Sequence, residues 1–238
     1  MTVELVTHCF RYPSLLKYQL SSLVIWPPSG LELVVTVFYT DLDRDTAEVL
    51  EWFKEQRAPG VMWNWRKQTV LELCKRPIGR NLAALATSAD WVWFCDADYW
   101  FTCECWKAFA GIRQMETSLV YPRTVNRHRL HESGDACIAR ASGMHALVDA
   151  DPVEFEPTRM RRAIGGIQIV RGDVCRAHGY LRDSKKAQQP RTEAVFAKNR
   201  EDVWFRRALG TRGMAIDLPG VYRIRHSRAG RHTPGLML

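Results

Sequence analysis

The chain has 238 residues, of which 46% are hydrophobic and 25% are charged, and its formal net charge is +8. These values exclude an intrinsically disordered chain and suit one large α/β domain. The N-terminal segment lacks the pattern of a signal peptide, and no apolar run has the length of a membrane-spanning helix, so we expect a cytoplasmic protein, with a peripheral location at the membrane as the alternative. The seven cysteines show no CxxC spacing, which predicts reduced, mostly buried thiols rather than a zinc site.

The first half of the chain alternates strand-like and helix-like segments. Apolar and β-branched residues dominate 31–39, which is typical of a buried parallel strand. The predicted strands are 2–7, 31–39, 61–65 and 90–95, and the predicted helices begin near residues 13, 45 and 76. This order predicts a doubly wound, mostly parallel sheet, in which ligands bind beyond the carboxyl ends of the strands.

The second half of the chain has a less regular pattern. Its predicted elements are a strand in 118–125, a strand and a short helix in 165–181, a helix in 201–213 and extended chain in 214–226. Residues 126–157 show no clear period and predict a loop-rich insertion. Residues 183–193 predict a mobile polar loop.

Positive charge is concentrated in the C-terminal third. Residues 156–238 contain 18 Lys and Arg against 7 Asp and Glu, whereas the preceding 155 residues contain 16 against 19. Such a region predicts an anionic partner, for which a nucleotide phosphate, a nucleic acid and a membrane surface are all candidates. A solvated basic face without a partner is the alternative.

Two carboxylates, Asp96 and Asp98, follow the aromatic segment "DWVWFC". Two acids close together repel each other and need a cation or a proton. Mg²⁺ and Mn²⁺ prefer oxygen ligands and are often bound by few protein carboxylates together with substrate phosphates. The pair therefore predicts a metal held against a diphosphate, with a polar turn as the alternative.

Four segments, in order, resemble the family 2 glycosyltransferases. They are "TVFYTDLDRDTAEVL", "RNLAALATSADWVWFCDADYWF", "AIGGIQIVRGDVCRAHGYL" and "REDVWFRRALGTRG". The resemblance covers 2–115 and 160–226. It implies a single GT-A domain over 1–238, with a nucleotide-sugar-binding half in 1–115 and an acceptor-binding half in 116–238. Its sheet would be Rossmann-like, mostly parallel and flanked by helices, with a small mixed region on the acceptor side.

The sequence departs from the family pattern at two places near the expected base-binding site. The first strand ends in "VTHCFRYP", and the turn after the second strand lacks the usual Gly-Ser. The choice of nucleotide therefore stays open, with UDP as the leading candidate.

The resemblance assigns the metal site to three residues. Asp98 would be the main ligand of Mn²⁺ or Mg²⁺, and Asp96 would contact the metal or the ribose. His226 would be a second metal ligand, with a surface histidine as the alternative and His232 as a lesser candidate. The metal would stabilise the charge on the leaving diphosphate.

The resemblance also assigns the contacts to the nucleotide sugar. Strand ends would bring side chains to the base and ribose, and a helix start would supply base or phosphate contacts. The implied residues are Thr7, His8, Arg11, Asp41, Arg80, Asn81, Asp96 and Ala97, with Asp43 as the neighbour of Asp41. Structural roles as caps or surface charges are the alternative.

Asp202 is the candidate catalytic base of an inverting transfer by the same resemblance. Glu201, Gly165, Gly166 and Trp100 are assigned to the sugar and acceptor. Acids in the first turn of a helix also stabilise the helix dipole, the glycines could form a plain turn, and Trp100 could pack in the core.

The acceptor of this hexosyltransferase-type enzyme is not chosen by the resemblance. A saccharide or glycolipid is the expected acceptor, and hydroxymethylated DNA is an alternative because of the basic C-terminal third. A nucleotidyltransferase is a second alternative, although "THCFRYPS" lacks the Gly-rich phosphate loop of that class. A non-catalytic binding protein with a decayed site is a third. No obligate protein partner is indicated.

Overall fold

The structure is a computed structural model that describes residues 1–132, 135–143, 145–196 and 200–226. The strands in these ranges are β1 (Thr2–His8), β2 (Glu32–Tyr39), β3 (Val61–Lys67), β4 (Trp91–Cys95), β5 (Tyr99–Phe101), β6 (Leu119–Pro122), β7 (Thr124–His131), β8 (Phe155–Arg159), β9 (Ile167–Arg171), β10 (Met214–Ile216) and β11 (Val221–His226). The helices are α1 (Pro13–Ile25), α2 (Arg44–Lys54), α3 (Val70–Leu73), α4 (Arg76–Ala86), α5 (Cys103–Ala110), α6 (Ala136–Arg140), α7 (Gly172–His178), α8 (Lys185–Gln188) and α9 (Glu201–Ala208).

A seven-stranded sheet forms the centre of the molecule, in the order β10-β6-β9-β4-β1-β2-β3. The pairs β1–β2, β2–β3, β1–β4 and β6–β10 are parallel, whereas β9 runs antiparallel to both β4 and β6. The predicted mostly parallel sheet flanked by helices is therefore confirmed. Strands from both halves of the chain share it.

Strand β4 lies in the middle of this sheet, between β1 and β9. Every residue of "WVWFC" is buried, because helices and loops cover both faces of a central strand. Trp93 packs against Phe101, Trp106 and Phe109. The aromatic segment is core, and the chain becomes acidic where it leaves the sheet.

A smaller sheet has the order β5-β11-β7-β8. It corrects the prediction for 126–157, because β7 continues through His131 and β8 begins at Phe155. Strand β7 shows no alternation of hydrophobic and polar residues in the sequence. Its buried positions include two histidines, His128 and His131, where hydrophobic residues are usual. The predicted polar loop 183–193 is also partly wrong, since Ser184 caps the short helix α8.

No helix in the described ranges combines the length and the apolar character that a membrane crossing requires. The cytoplasmic location stays a prediction.

Candidate active site

The turn between β4 and β5 places Asp96 and Asp98 beside three arginines. Oδ1 of Asp96 accepts hydrogen bonds from Nη1 of Arg76 at 3.0 Å and from Nη2 of Arg80 at 3.3 Å. Oδ2 of Asp98 accepts one from Nε of Arg223 at 2.9 Å. The positive charge that the acid pair needs is therefore present in the protein itself.

Protonation of these arginines is secured by their acidic neighbours. Asp98 raises the pKa of Arg223 above its ordinary value. Burial alone would lower the pKa of Arg76, but Glu201 and Asp96 outweigh burial and raise it. The acids and the arginines therefore form one network of ion pairs.

One fully buried carboxylate oxygen in this network has no hydrogen-bond partner among the described residues. It is Oδ1 of Asp98, whose side chain is 4% exposed. A buried carboxylate oxygen without a partner is costly, and a cation would satisfy it. Within the same ranges no three His, Cys, Asp or Glu side chains converge on one point. An ion at Asp98 would therefore have to take most of its ligands from a substrate.

The predicted metal ligands Asp96, Asp98 and His226 line a single cavity. His226 ends β11, and its ring meets the ring of Tyr12 edge-on at 5.2 Å. The cavity has a volume of about 30 Å³, which admits about one water molecule. The cavity is therefore too small for a nucleotide sugar unless its lining residues move. His232 lies outside the described residues.

Arg76 connects the acid pair to helix α9. Its Nε donates to Oε1 of Glu201 at 3.1 Å, while its Nη1 holds Asp96. Glu201 is thus a buried member of the charge network, and its contact with the sugar or acceptor stays a prediction. Asp202, the next residue, keeps a fifth of its side chain exposed and pairs with Nη1 of Arg206 at 3.2 Å.

Arg80 is fully buried below the acids. Its guanidinium donates to the Gly165 carbonyl at 2.8 Å and to the Tyr180 hydroxyl at 3.0 Å, in addition to Asp96. Arg80 therefore holds the backbone at Gly165 in place relative to the acid pair. Asn81 lies outside the cavity, where its Oδ1 accepts from the Tyr180 backbone N–H at 3.0 Å.

Thr7 holds the backbone of the acidic turn through a second residue. Its buried hydroxyl donates to Oε1 of Gln19 at 2.9 Å, and Nε2 of Gln19 donates to the Asp96 carbonyl at 3.0 Å. Thr7 therefore lies behind the cavity, whereas its neighbour His8 and Ala97 line it.

His8 is buried in a closely packed position. Its ring stacks on Phe38 at 4.9 Å, and a Cβ at Gly79 would lie 2.2 Å from its Nε2. Burial lowers the pKa of His8 well below its ordinary value, and Arg80 and Arg76 lower it further. The folded protein therefore holds a neutral His8.

This burial predicts a loss of stability in weak acid. Above about pH 6.5, His8 is neutral in the folded and in the unfolded protein. Below this pH the unfolded chain binds a proton at His8 that the folded protein does not bind. The unfolding free energy therefore falls by up to about 1.4 kcal/mol for each pH unit of acidification. His8→Asn should reduce this slope in urea denaturation between pH 5 and 7. The slope should not vanish, because burial also lowers the pKa of His131. An unchanged slope would show that folded His8 binds the proton.

Arg11, Asp41 and Asp43 surround the start of α2 and do not line the acid cavity. Arg11 has a left-handed backbone with φ of 62°, which the bond from its N–H to Oδ2 of Asp43 at 2.5 Å stabilises. Asp43 also caps α2 by accepting from Thr46. Asp41 is exposed and pairs with Lys67 at 3.0 Å. Base or ribose contacts by these residues stay predictions.

Trp100 is 1% exposed and stacks on Phe155 in the core between the small sheet and α1. Of its two predicted roles, the structure supports core packing. Sugar stacking is disfavoured because neighbouring side chains already cover the ring.

Gly166 brings the backbone against the acid pair. A Cβ there would lie 2.5 Å from Cε2 of Tyr99 and 3.2 Å from Oδ2 of Asp96, whereas the nearest atom to a Cβ at Gly165 is 3.9 Å away. Gly166→Ala should therefore lower the unfolding free energy in urea by about 1–3 kcal/mol, the range for overpacking. Gly165→Ala is the matched control and should change it by less. Equal losses would contradict this close approach.

Arg76 and Arg223 are site residues that the sequence patterns did not identify. The sequence could have indicated Arg76, because it lies one helical turn before Arg80 and thus on the same face of α4. No sequence pattern indicated Arg223. It reaches Asp98 only because β11 pairs with β5 in a register that sets Arg223 opposite Tyr99.

Solved structures of S. aureus TarS share this arrangement of strands and helices. A complex with UDP-GlcNAc superposes with a TM-score of 0.56 at 12% identity, covering 99% of this chain and 62% of that one. A complex with UDP gives 0.53 at 12% identity, covering 94% and 60%. The fold is the GT-A fold. The predicted fold class is thus confirmed.

The GT-A likeness is one of structure rather than of sequence. A longer TarS structure has a TM-score of 0.53 at 14% identity, covering 94% of this chain and 37% of that chain. The chain thus spans about 37–62% of the lengths of these neighbours. No protein-family model matches the sequence, and no curated protein matches it either. Membership of family 2 stays a prediction.

Proposed function

We propose that this chain is a metal-dependent, inverting glycosyltransferase that moves a sugar from a nucleotide diphosphate, with UDP as the leading candidate, to an acceptor hydroxyl. Its GT-A fold supports a glycosyltransferase. Two of its structural neighbours were solved with UDP-GlcNAc and with UDP, which supports a nucleotide-sugar donor.

The observation that carries the proposal is the shared cavity of Asp96, Asp98 and His226. The acids follow the central strand and the histidine ends β11, about 130 residues later in the chain. These three residues line one cavity at the carboxyl end of β4, where ligands of open α/β sheets bind. The donor diphosphate is proposed to lie here, with His8 and Ala97 against it.

Asp98, Asp96 and His226 are the residues that would hold Mn²⁺ or Mg²⁺. The partnerless Oδ1 of Asp98 and the nitrogen and oxygen ligand set support this assignment. The chemistry that such an ion supplies is stabilisation of negative charge on the leaving diphosphate. Arg76 and Arg80 pair with Asp96 and would orient it beside the ion.

Asp202 is the proposed general base. It would take the proton of the acceptor hydroxyl while that oxygen bonds to the anomeric carbon and the bond from this carbon to the diphosphate breaks. Arg206 orients its carboxylate, and Glu201 ties the same helix through Arg76 to Asp96. These contacts connect the helix of the proposed base to the acid pair.

A thermal-shift panel of UDP, GDP, TDP and CDP, with and without Mn²⁺, tests the proposal. A ligand that binds only the folded state raises its stability, so one nucleotide should raise the melting temperature and should do so more with Mn²⁺. Incubation with the matching nucleotide sugar should then release the free nucleotide by slow hydrolysis. No shift with any of the four would contradict the proposed donor site.

A further inference from the structure

A second cavity, much larger than the first, lies beside the proposed base. It has a volume of about 890 Å³ and is formed by the chain before β9 and by α9 with the turn after it. Five of its lining residues are arginines, and none of its lining residues is acidic. The arginines are Arg161, Arg162, Arg206, Arg207 and Arg212.

Most of the positive charge in this cavity is uncompensated. In the ranges that the structure describes, all of these arginines except Arg206 are exposed, and none of the exposed four lies within 4.0 Å of a carboxylate. Arg206 is buried, bonds the Ala163 carbonyl and pairs with Asp202. Guanidinium groups lining one concavity repel each other, and a bound anion would remove that repulsion.

The cavity lies beside the proposed catalytic residue, Asp202, which does not itself line it. Arg206 lines it and holds Oδ2 of Asp202 at 3.2 Å, while Val203, the next residue of α9, is part of its wall. A ligand in the cavity is therefore one side chain away from the base. Its volume is that of a site for a small molecule or a sugar unit.

The lining residues indicate the chemistry of the ligand. Arginine binds phosphate through paired N–H donors, and the cavity contains arginines and no lysine. The remaining wall contains Met160, Ile164 and Val203 but no aromatic ring, whereas sites for single-stranded nucleic acid stack bases on aromatic side chains. A phosphate without a nucleobase fits this lining best.

We propose that the arginine cavity binds the phosphate of a phosphate-bearing saccharide acceptor and thereby brings its hydroxyl to Asp202. The inference rests on the proposed glycosyltransferase function and adds the class of its acceptor. The five arginines of this cavity all belong to the basic region 156–238.

Calorimetric titration of the full chain without donor tests the site. Glucose 6-phosphate and N-acetylglucosamine 1-phosphate are the probes, and the two neutral sugars and inorganic phosphate are the comparisons. A sugar phosphate should bind more tightly than its neutral sugar or phosphate alone. The variant Arg161→Gln/Arg207→Gln should bind it roughly tenfold or more weakly, since it loses charged hydrogen bonds.

The matched control is Arg44→Gln/Arg57→Gln, which removes two exposed charges away from the cavity. It should bind the sugar phosphate like the wild type, and excess UDP should not compete. Equal binding by the two double variants, or no preference for either sugar phosphate over its neutral sugar, would overturn the inference. Tighter binding of a ten-residue oligothymidylate, lost in the cavity variant alone, would overturn it in favour of a nucleic-acid acceptor.

The same protein distinguishes this failure from that of the proposed function. If UDP binding and donor hydrolysis are normal while both sugar phosphates fail to bind, only the acceptor assignment is wrong. If the sugar phosphate binds at the arginines but no nucleotide binds, the site stands as a phosphate site and the donor proposal is wrong.

Discussion

Replacing Asp202 by Asn should lower the rate of sugar transfer by about 10²–10⁴-fold, the usual contribution of a general base, and leave donor affinity unchanged. The amide has nearly the same shape and can still accept from Arg206, so the helix and the arginine keep their positions. Only the ability to take the acceptor proton is lost. Transfer rates under saturating donor and acceptor, together with nucleotide binding by calorimetry, measure the two effects.

Glu193→Gln is the control for this variant. It makes the same change in charge at an exposed position in the segment before α9, and should transfer at the wild-type rate. A full transfer rate in the Asp202→Asn protein would assign the base to another residue. A matching loss of donor affinity would show that Asp202 acts in binding rather than in proton transfer.

Replacing Asp98 by Ala is expected to have the largest effect on both stability and binding. The carboxylate is buried and paired with Arg223, and removal of one partner of such a pair costs about 3–5 kcal/mol because the other charge is left uncompensated. Metal-dependent binding of the nucleotide should be lost as well. Urea denaturation and the thermal-shift panel measure the two losses.

A double variant separates these two roles of Asp98. Asp98→Ala/Arg223→Met removes both charges, so most of the lost stability should return. Nucleotide binding should not return, because the proposed ligand is still absent. If the double variant binds nucleotide with Mn²⁺ as the wild type does, Asp98 serves only as the partner of Arg223.

The large sheet was predictable because its strands carry strong local signals. The segment "LELVVTVFY" is apolar and β-branched, and "DWVWFC" is apolar throughout, so each one predicts a buried strand without knowledge of its neighbours. The location of Asp96 and Asp98 at a carboxyl end followed from that order of elements. The structure places both there.

The small sheet was not predictable from local patterns. Strand β7 has the sequence "TVNRHRLH", in which polar side chains satisfy one another inside the protein, as His128 and His131 do with Glu154 and Asp135. The pairing of Asp98 with Arg223 has the same origin, since it depends on two strands that are 120 residues apart. Contacts of this kind come from tertiary register, which local periodicity does not contain.

A crystal of the protein grown with UDP and Mn²⁺, with diffraction recorded at the manganese edge, tests the central claim most directly. We expect an anomalous peak coordinated by the side chain of Asp98 and by the diphosphate, with His226 or Asp96 beside it. Ordered UDP with no manganese peak at Asp98, and the carboxylate still bound to Arg223 alone, would contradict the proposed donor site.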